Sequence, residues 1–166
     1  IPLVLREFPK SKFIIAGKGS EEEKLKNLVS SLKIEENVRF VGFISNDDLP
    51  KYLRTADIYV STSLSDAGIA SSTAEAMACG LPVIITNTGE NEKWITDGRG
   101  GYLIPIKNPE ILAQKIVYLM KNENLRKKWG RINRRIIEER NNYLREMNKM
   151  EKIYEEIAQV SKKNLS

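Results

Sequence analysis

The sequence predicts a doubly wound α/β domain: a parallel sheet covered by helices on both faces, with further helices packed back on it at the carboxyl end. Three observations carry that expectation. Short apolar runs rich in β-branched and aromatic residues recur up to Ile104, stretches of helical periodicity separate several of them, and beyond Pro105 only helical periodicity continues. The 166 residues suffice for a single domain with its own core.

The strands are expected at Phe13–Ala16, Val38–Val41, Ile58–Val60, Val83–Ile85 and Tyr102–Ile104, each bounded by turn formers. Between the first two, Leu25, Leu28, Val29 and Leu32 follow the spacing of one helix face across Lys24–Leu32. Leu49, Tyr52, Leu53 and Ala56 do the same after the second strand, with Asn46 as N-cap and Asp47 and Asp48 near the positive end. After the last strand, Asn108-Pro109-Glu110 reads as cap, first-position proline and first-turn acid. It opens a helix carrying Leu112, Ile116 and Leu119. A second helix puts Leu125, Trp129, Ile132 and Ile136 on one face, and a third aligns Leu144, Met147, Tyr154 and Ile157.

Composition narrows the chemistry. There is no histidine, so the usual general base and the commonest zinc ligand are absent. The single cysteine, Cys79, excludes an internal disulfide and suits a reducing compartment; its small-residue surroundings read as a buried, inert thiol. No apolar run approaches the ~20 residues of a membrane span. The opening Ile1-Pro2-Leu3-Val4-Leu5 passes at once into Arg6-Glu7, unlike a secretory leader, and begins in mid-pattern as a fragment would. A cytoplasmic setting is the expectation.

Net charge is +5, unevenly spread: residues 1–120 hold 14 basic and 15 acidic side chains, residues 121–166 hold 13 and 7. The run Arg126-Lys127-Lys128-Trp129-Gly130-Arg131-Ile132-Asn133-Arg134-Arg135 carries six positive charges and no negative one. It reads as a solvated helix face or as a contact for an anionic membrane or lipid-linked acceptor. Nucleic acid is not the expected partner, because the lone aromatic, Trp129, has core spacing with Leu125 and Ile132.

Doubly wound sheets bind ligands where strand ends lead into helices. The stronger of two such places runs from Ser61 through Ser63, Ser65, Asp66, Gly68, Ile69, Ala70, Ser71 and Ser72 into the small-residue helix around Ala74-Glu75-Ala76-Met77-Ala78. Small side chains let this helix lie close to the sheet, and its free first-turn amides suit a diphosphate. Two readings of Glu75 stand side by side. Its carboxylate can accept hydrogen bonds from vicinal hydroxyls such as those of a ribose, or Ser72-Thr73-Ala74-Glu75 is a capping box. The second place is Gly17-Lys18-Gly19, either a plain strand-to-helix turn or a ligand loop. Glu21-Glu22-Glu23 directly after it argues against a dinucleotide there.

The ordered set Phe13-Ile14-Ile15-Ala16-Gly17-Lys18-Gly19, Val38-Arg39-Phe40-Val41-Gly42-Phe43, Ala56-Asp57-Ile58-Tyr59-Val60-Ser61-Thr62-Ser63, Glu75-Ala76-Met77-Ala78-Cys79-Gly80-Leu81-Pro82-Val83-Ile84 and Asp97-Gly98-Arg99-Gly100-Gly101-Tyr102-Leu103 resembles the C-terminal, Rossmann-like domain of GT-B fold retaining glycosyltransferases. The group includes bacterial mannosyltransferases, and the resemblance spans roughly residues 1–160. It implies that Glu75 binds the ribose hydroxyls, that amides of Gly68, Ile69, Ala70, Ser71 and Ser72 hold the diphosphate, and that the base lies near Gly42 and Phe43 with Gly17 and Gly19 close by. The family's first motif acid would fall at Ala67. Asp66, one position earlier, is the candidate to touch donor-sugar hydroxyls and the candidate catalytic residue. The acid frequent after the Val83–Ile85 strand is replaced by Lys93.

The implied reaction moves a hexosyl group, such as mannose or glucose, from a nucleoside-diphosphate sugar to an acceptor hydroxyl with retention. There is no Asp-x-Asp pair and no cluster with metal-ligand spacing, so no metal or other cofactor is expected. The resemblance also implies a first strand ahead of Ile1, bearing arginine and lysine, and an N-terminal domain that binds a sugar or lipid-linked acceptor. Residues 1–166 alone are expected to be inactive. A GT-B nucleotide-sugar epimerase and a non-catalytic nucleotide-sugar-binding module are the rival readings.

Overall fold

A computed structural model describes residues 1–163, with side chains to residue 160. Strands and helices alternate as the periodicity predicts: α1 (Pro2–Glu7), β1 (Phe13–Ala16), α2 (Glu22–Ser31), β2 (Val38–Gly42), α3 (Leu49–Thr55), β3 (Tyr59–Ser61), α4 (Ser71–Ala78), β4 (Val83–Thr86), β5 (Thr96–Asp97), β6 (Gly100–Ile104), α5 (Pro109–Lys121), α6 (Glu123–Arg140) and α7 (Tyr143–Lys163). A 3-10 turn, Asn91–Lys93, follows β4. The five expected strands and six expected helices all form; α1 and the two-residue β5 are additions too short to show a period.

Every strand pair is parallel, and β3-β4-β6-β5 form one sheet. At its centre β4 is buried on both sides, which explains its unbroken Val-Ile-Ile run. Val83 and Ile85 face Ala76 and Met77 of α4, with Leu53, Ile95 and Ile137 in the same cluster. Ile84 faces the other way, into Ile104, Leu119 and Trp129. The expected core role of Trp129 holds: its ring meets Tyr102 edge-on at 5.0 Å. Asn108 Oδ1 accepts from Ile111 N at 2.9 Å, so α5 is capped as expected. At α3 the cap differs. Ser45 Oγ accepts from Asp48 N and donates to the Asp48 carboxylate, and Asp48, not Asn46, precedes the helix. A turn at 46–48 moves the start past Asn46.

α6 is seated against α4 by backbone contact. Gly130 leaves no room for a β-carbon, which would overlap the Gly80 carbonyl. Asn133, fully buried, donates to the Leu81 and Gly100 carbonyls at 2.7 and 2.8 Å. At the end of α6, Arg140 stacks over Trp94, 4.2 Å from the ring centre, and bonds the Lys93 carbonyl. Cys79 is partly rather than fully buried, packed beside the α4 core.

The sheet is divided in two. Among the described residues β1 and β2 pair only with each other, and a cleft of about 900 Å³ separates them from β3. Phe13, Ile14 and Ala16 line one wall; Ile58, Tyr59 and Val60 line the other. Ile14 is 48% and Val60 38% exposed, high for strand residues of a doubly wound domain. α2 forms, yet Leu25, Leu28 and Leu32 stay exposed. α7 forms with Leu144, Met147, Tyr154 and Ile157 also exposed. No described helix is long and apolar enough to cross a membrane.

Candidate functional site

β3 ends at Ser61, and the chain reaches α4 through a loop of small residues. Ala70 is extended (φ −61°, ψ 140°) and α4 starts at Ser71 with no side-chain cap. The first amides that turn inward are those of Thr73 and Ala74, both bonding the Ala70 carbonyl. The amides of residues 68–72 find no acceptor among the described residues. Consecutive free amides at a helix start, backed by the helix dipole, attract an anion.

The early start of α4 bears on one of the two readings of Glu75, the capping box. A capping box on Ser72 requires the helix to begin after it, whereas Ser72 already lies inside. The capping reading is therefore wrong: the Ser72 hydroxyl pairs with that of Tyr59 at 2.8 Å, and among the described residues no hydrogen bond holds the Glu75 carboxylate. Glu75 is exposed while its neighbours Ala74 and Ala76 are buried, so its side chain leaves α4 toward solvent one turn beyond the free amides. Small residues bring α4 close to the sheet without covering its amino end.

Asp66 lies partly buried between two loops. Its Oδ2 accepts from Asn91 Nδ2 at 3.3 Å and from Thr88 Oγ1 at 3.5 Å. Behind it the loops are joined again, Thr86 Oγ1 donating to the Ser63 carbonyl at 2.5 Å. Gly89, at φ +56°, presses so closely on the Asp66 carbonyl that a β-carbon would overlap it. The sequence reading missed Thr88, Gly89 and Asn91. Thr-Asn-Thr-Gly-Glu-Asn after a strand is turn chemistry, but nothing local places it against Asp66.

The other predicted residues gather at the ends of β1 and β2. Gly17 donates its amide to the Gly42 carbonyl at 2.7 Å, and both glycines have positive φ, +118° and +65°. Lys18 passes over Gly42, its Cε 3.4 Å from where a β-carbon would stand. Lys26, and more weakly Lys18, hold the Glu22 carboxyl below its ordinary range, so the acids after Gly19 are partly neutralised. Phe43 is 75% exposed, an aromatic face presented to solvent beside the glycines. The cleft connects the two groups: Ala16 and Ile44, neighbours of Gly17 and Phe43, share it with Ser72.

The basic run of α6 is less cationic than its sequence. Lys127 pairs with Glu123, Arg134 with Glu138 and Arg135 with Glu139. Arg126 bonds the Leu119 and Met120 carbonyls and reaches Asp57. Lys128 and Arg131 are exposed without a carboxylate partner among the described residues.

Known proteins share this fold. MJ1069, an uncharacterized glycosyltransferase of Methanocaldococcus jannaschii, is 28% identical over 158 residues, 95% of this chain and 40% of its own length. A mutant of S. aureus TarM, solved with fondaparinux, alpha-GlcNAc-glycerol and UDP, superposes with a TM-score of 0.82 at 28% identity. The match covers 92% of this chain and 30% of that one. The C-terminal domain of a glycosyl transferase group 1 family protein from Francisella tularensis shares the fold, with a TM-score of 0.76 at 24% identity, over 85% of this chain and 75% of that one. The chain thus spans less than half of MJ1069 and of TarM, and corresponds to a C-terminal domain of the GT-B type. Residues 1–136 match the model of the glycosyl transferases group 1, and the chain belongs to that family.

Proposed function

We propose that this chain is the donor-binding wall of a retaining glycosyltransferase that moves a hexosyl group from a nucleoside-diphosphate sugar to an acceptor hydroxyl. The carrying observation is the row of acceptor-free amides at 68–72 followed one turn later by the unpaired, exposed Glu75. Amides suit the diphosphate, whose negative charge grows as the glycosidic bond breaks; a fixed donor array stabilises that charge without reorganising. Glu75 accepts from the ribose hydroxyls, Asp66 meets the donor sugar, and Phe43 with Gly17, Gly19 and Gly42 borders the base. The reaction on this reading uses no metal. Solved relatives support the ligand class, TarM having been crystallised with UDP.

The cleft between β1 and β3 supports the further reading that a strand outside residues 1–166 completes the sheet, and that an N-terminal domain brings the acceptor. On this reading the chain alone does not turn over. A sugar or lipid-linked acceptor is proposed, the latter in keeping with relatives named phosphatidyl-myo-inositol mannosyltransferase and alpha-monoglucosyldiacylglycerol synthase. Peripheral contact with the inner face of a membrane through residues 126–135 belongs to the same proposal, with Lys128 and Arg131 as the free charges.

Amide NMR titration with UDP, GDP, ADP and NAD tests the reading. One nucleoside diphosphate is expected to shift amides of Gly68–Glu75 and Gly42–Phe43 with a Kd of about 0.1–1 mM. The Glu75→Gln variant is expected to bind it about tenfold more weakly and to lose the preference for ribose over 2′-deoxyribose. Binding of NAD alone, or shifts confined to 126–135, refutes it.

A further inference from the structure

We infer that Asn91 is a positioning residue for Asp66, so that the loop after β4, and not only the loop after β3, decides how the donor sugar is held. The inference rests on the proposed role of Asp66 and starts from an anomaly in the hydrogen bonding. Asn91 is 1% exposed, and its Oδ1 has no partner among the described residues. Buried amides normally satisfy both ends, so an orientation that strands the oxygen must be dictated by the nitrogen. Nδ2 has two acceptors: the Thr86 carbonyl at 2.9 Å, at the last residue of β4, and Asp66 Oδ2 at 3.3 Å. Turning the amide over would set Oδ1 against a carbonyl and a carboxylate, two acceptors facing an acceptor. Its orientation is fixed, and with it one hydrogen of Nδ2 is directed at Asp66.

Three further contacts make this a seat rather than a chance approach. Thr88 Oγ1 reaches the same carboxylate oxygen. Gly89 rests on the Asp66 backbone with no space for a side chain. Thr86 Oγ1 ties down the Ser63 carbonyl, three residues before Asp66. Both donors engage Oδ2 and neither engages Oδ1, which is left for an outside donor such as a sugar hydroxyl. A short aspartate on a flexible loop would spread over several rotamers. Gripped at one oxygen, it presents the other in a fixed direction, which is what discrimination among hydroxyl configurations requires.

Asn91 touches no ligand on this account, so its effect must follow the sugar and not the nucleotide. The test is calorimetric titration of the native chain and of Asn91→Asp, Thr88→Val and Asp66→Asn variants with UDP, UDP-glucose, GDP and GDP-mannose. The measured quantity is the ratio of sugar-nucleotide to nucleoside-diphosphate affinity. Asp66→Asn and Asn91→Asp are each expected to lower that ratio about tenfold, and Thr88→Val about threefold, with diphosphate affinity changed less than about twofold. Adding Asn91→Asp to Asp66→Asn is expected to cost little more, since both act through one carboxylate.

Thr88→Val, at a partly buried loop position, keeps the test open if Asn91→Asp unfolds the chain. A ratio lowered by Asp66→Asn but untouched by Asn91→Asp and Thr88→Val overturns the positioning role. A ratio unmoved by Asp66→Asn removes the sugar contact itself. Equal loss of diphosphate and sugar-nucleotide binding in the Asn91 variant assigns it a purely structural part and also overturns the inference. Failure of the native chain to bind any of the four ligands counts against the donor-site reading as a whole, a distinct result.

Discussion

At the scale of single residues, Gly130 sets a limit that side-chain chemistry cannot. Gly130 sits inside α6, where alanine is intrinsically preferred by about 1 kcal/mol. The added methyl would meet the Gly80 carbonyl, backbone that cannot swing aside. Overpacking of this kind costs roughly 1–3 kcal/mol and offsets or exceeds the gain in helix propensity. A Gly130→Ala variant is therefore expected to be less stable than the native chain by about 1–2 kcal/mol in urea unfolding; higher stability would mean that α4 and α6 are not in backbone contact. Residue types were readable in the sequence, but their partners were not. Glu75 carried two readings, and the helix start at Ser71, set by the extended turn at Ala70, removes only the capping one. Asp66 could be named, while its Asn91 and Thr88 partners, 25 and 22 positions away, could not.

Elements were far more legible. β4 reads as a strand buried on both faces because both faces are apolar, and α5 announces its start through Asn108-Pro109. Local chemistry suffices there. It does not suffice for α1, whose six residues hold less than two turns, or for the start of α3, where Asn46 falls in a turn that Ser45 and Asp48 hold by mutual contacts. α6 shows a different limit. Its sequence displays six positive charges in ten residues, yet the i,i+4 acids lie outside that window and pair with three of them. Exposed pairs of this kind contribute little to stability, but they reduce the local field. The proposed membrane contact would then rest on Lys128 and Arg131. The chain is expected to sediment with phosphatidylserine vesicles at low salt, and Lys128→Glu with Arg131→Glu to abolish it; equal pelleting of native and variant chains would place the contact elsewhere.

For the molecule as a whole, the doubly wound plan was legible and the resemblance implied a further strand, but the place of the gap in the sheet was not legible. Alternating strands and helices fix the layer order, since each apolar run needs cover. Nothing in residues 13–16 or 58–60 states how far apart the two strands will lie. The 900 Å³ cleft shows that they do not pair, and it leaves the β1 and β3 edges able to accept a parallel strand between them. In a longer chain that supplies such a strand, amides of Ile14, Ala16 and Val60 are expected to gain protection by at least about tenfold in hydrogen exchange, while those of β4 stay unchanged. Unaltered exchange at all three would show that the cleft is not a strand site.

The division of the sheet also changes what a ligand is for. Glycines and an aromatic at the ends of β1 and β2 stand on one part, the free amides and Glu75 on the other, and no strand pairing among the described residues joins the two. A molecule with a base at one end and a diphosphate at the other would span them as a cross-brace. In residues 1–166 alone its rigidity would pass into the protein, the ligand acting as the tie that a further strand would otherwise supply.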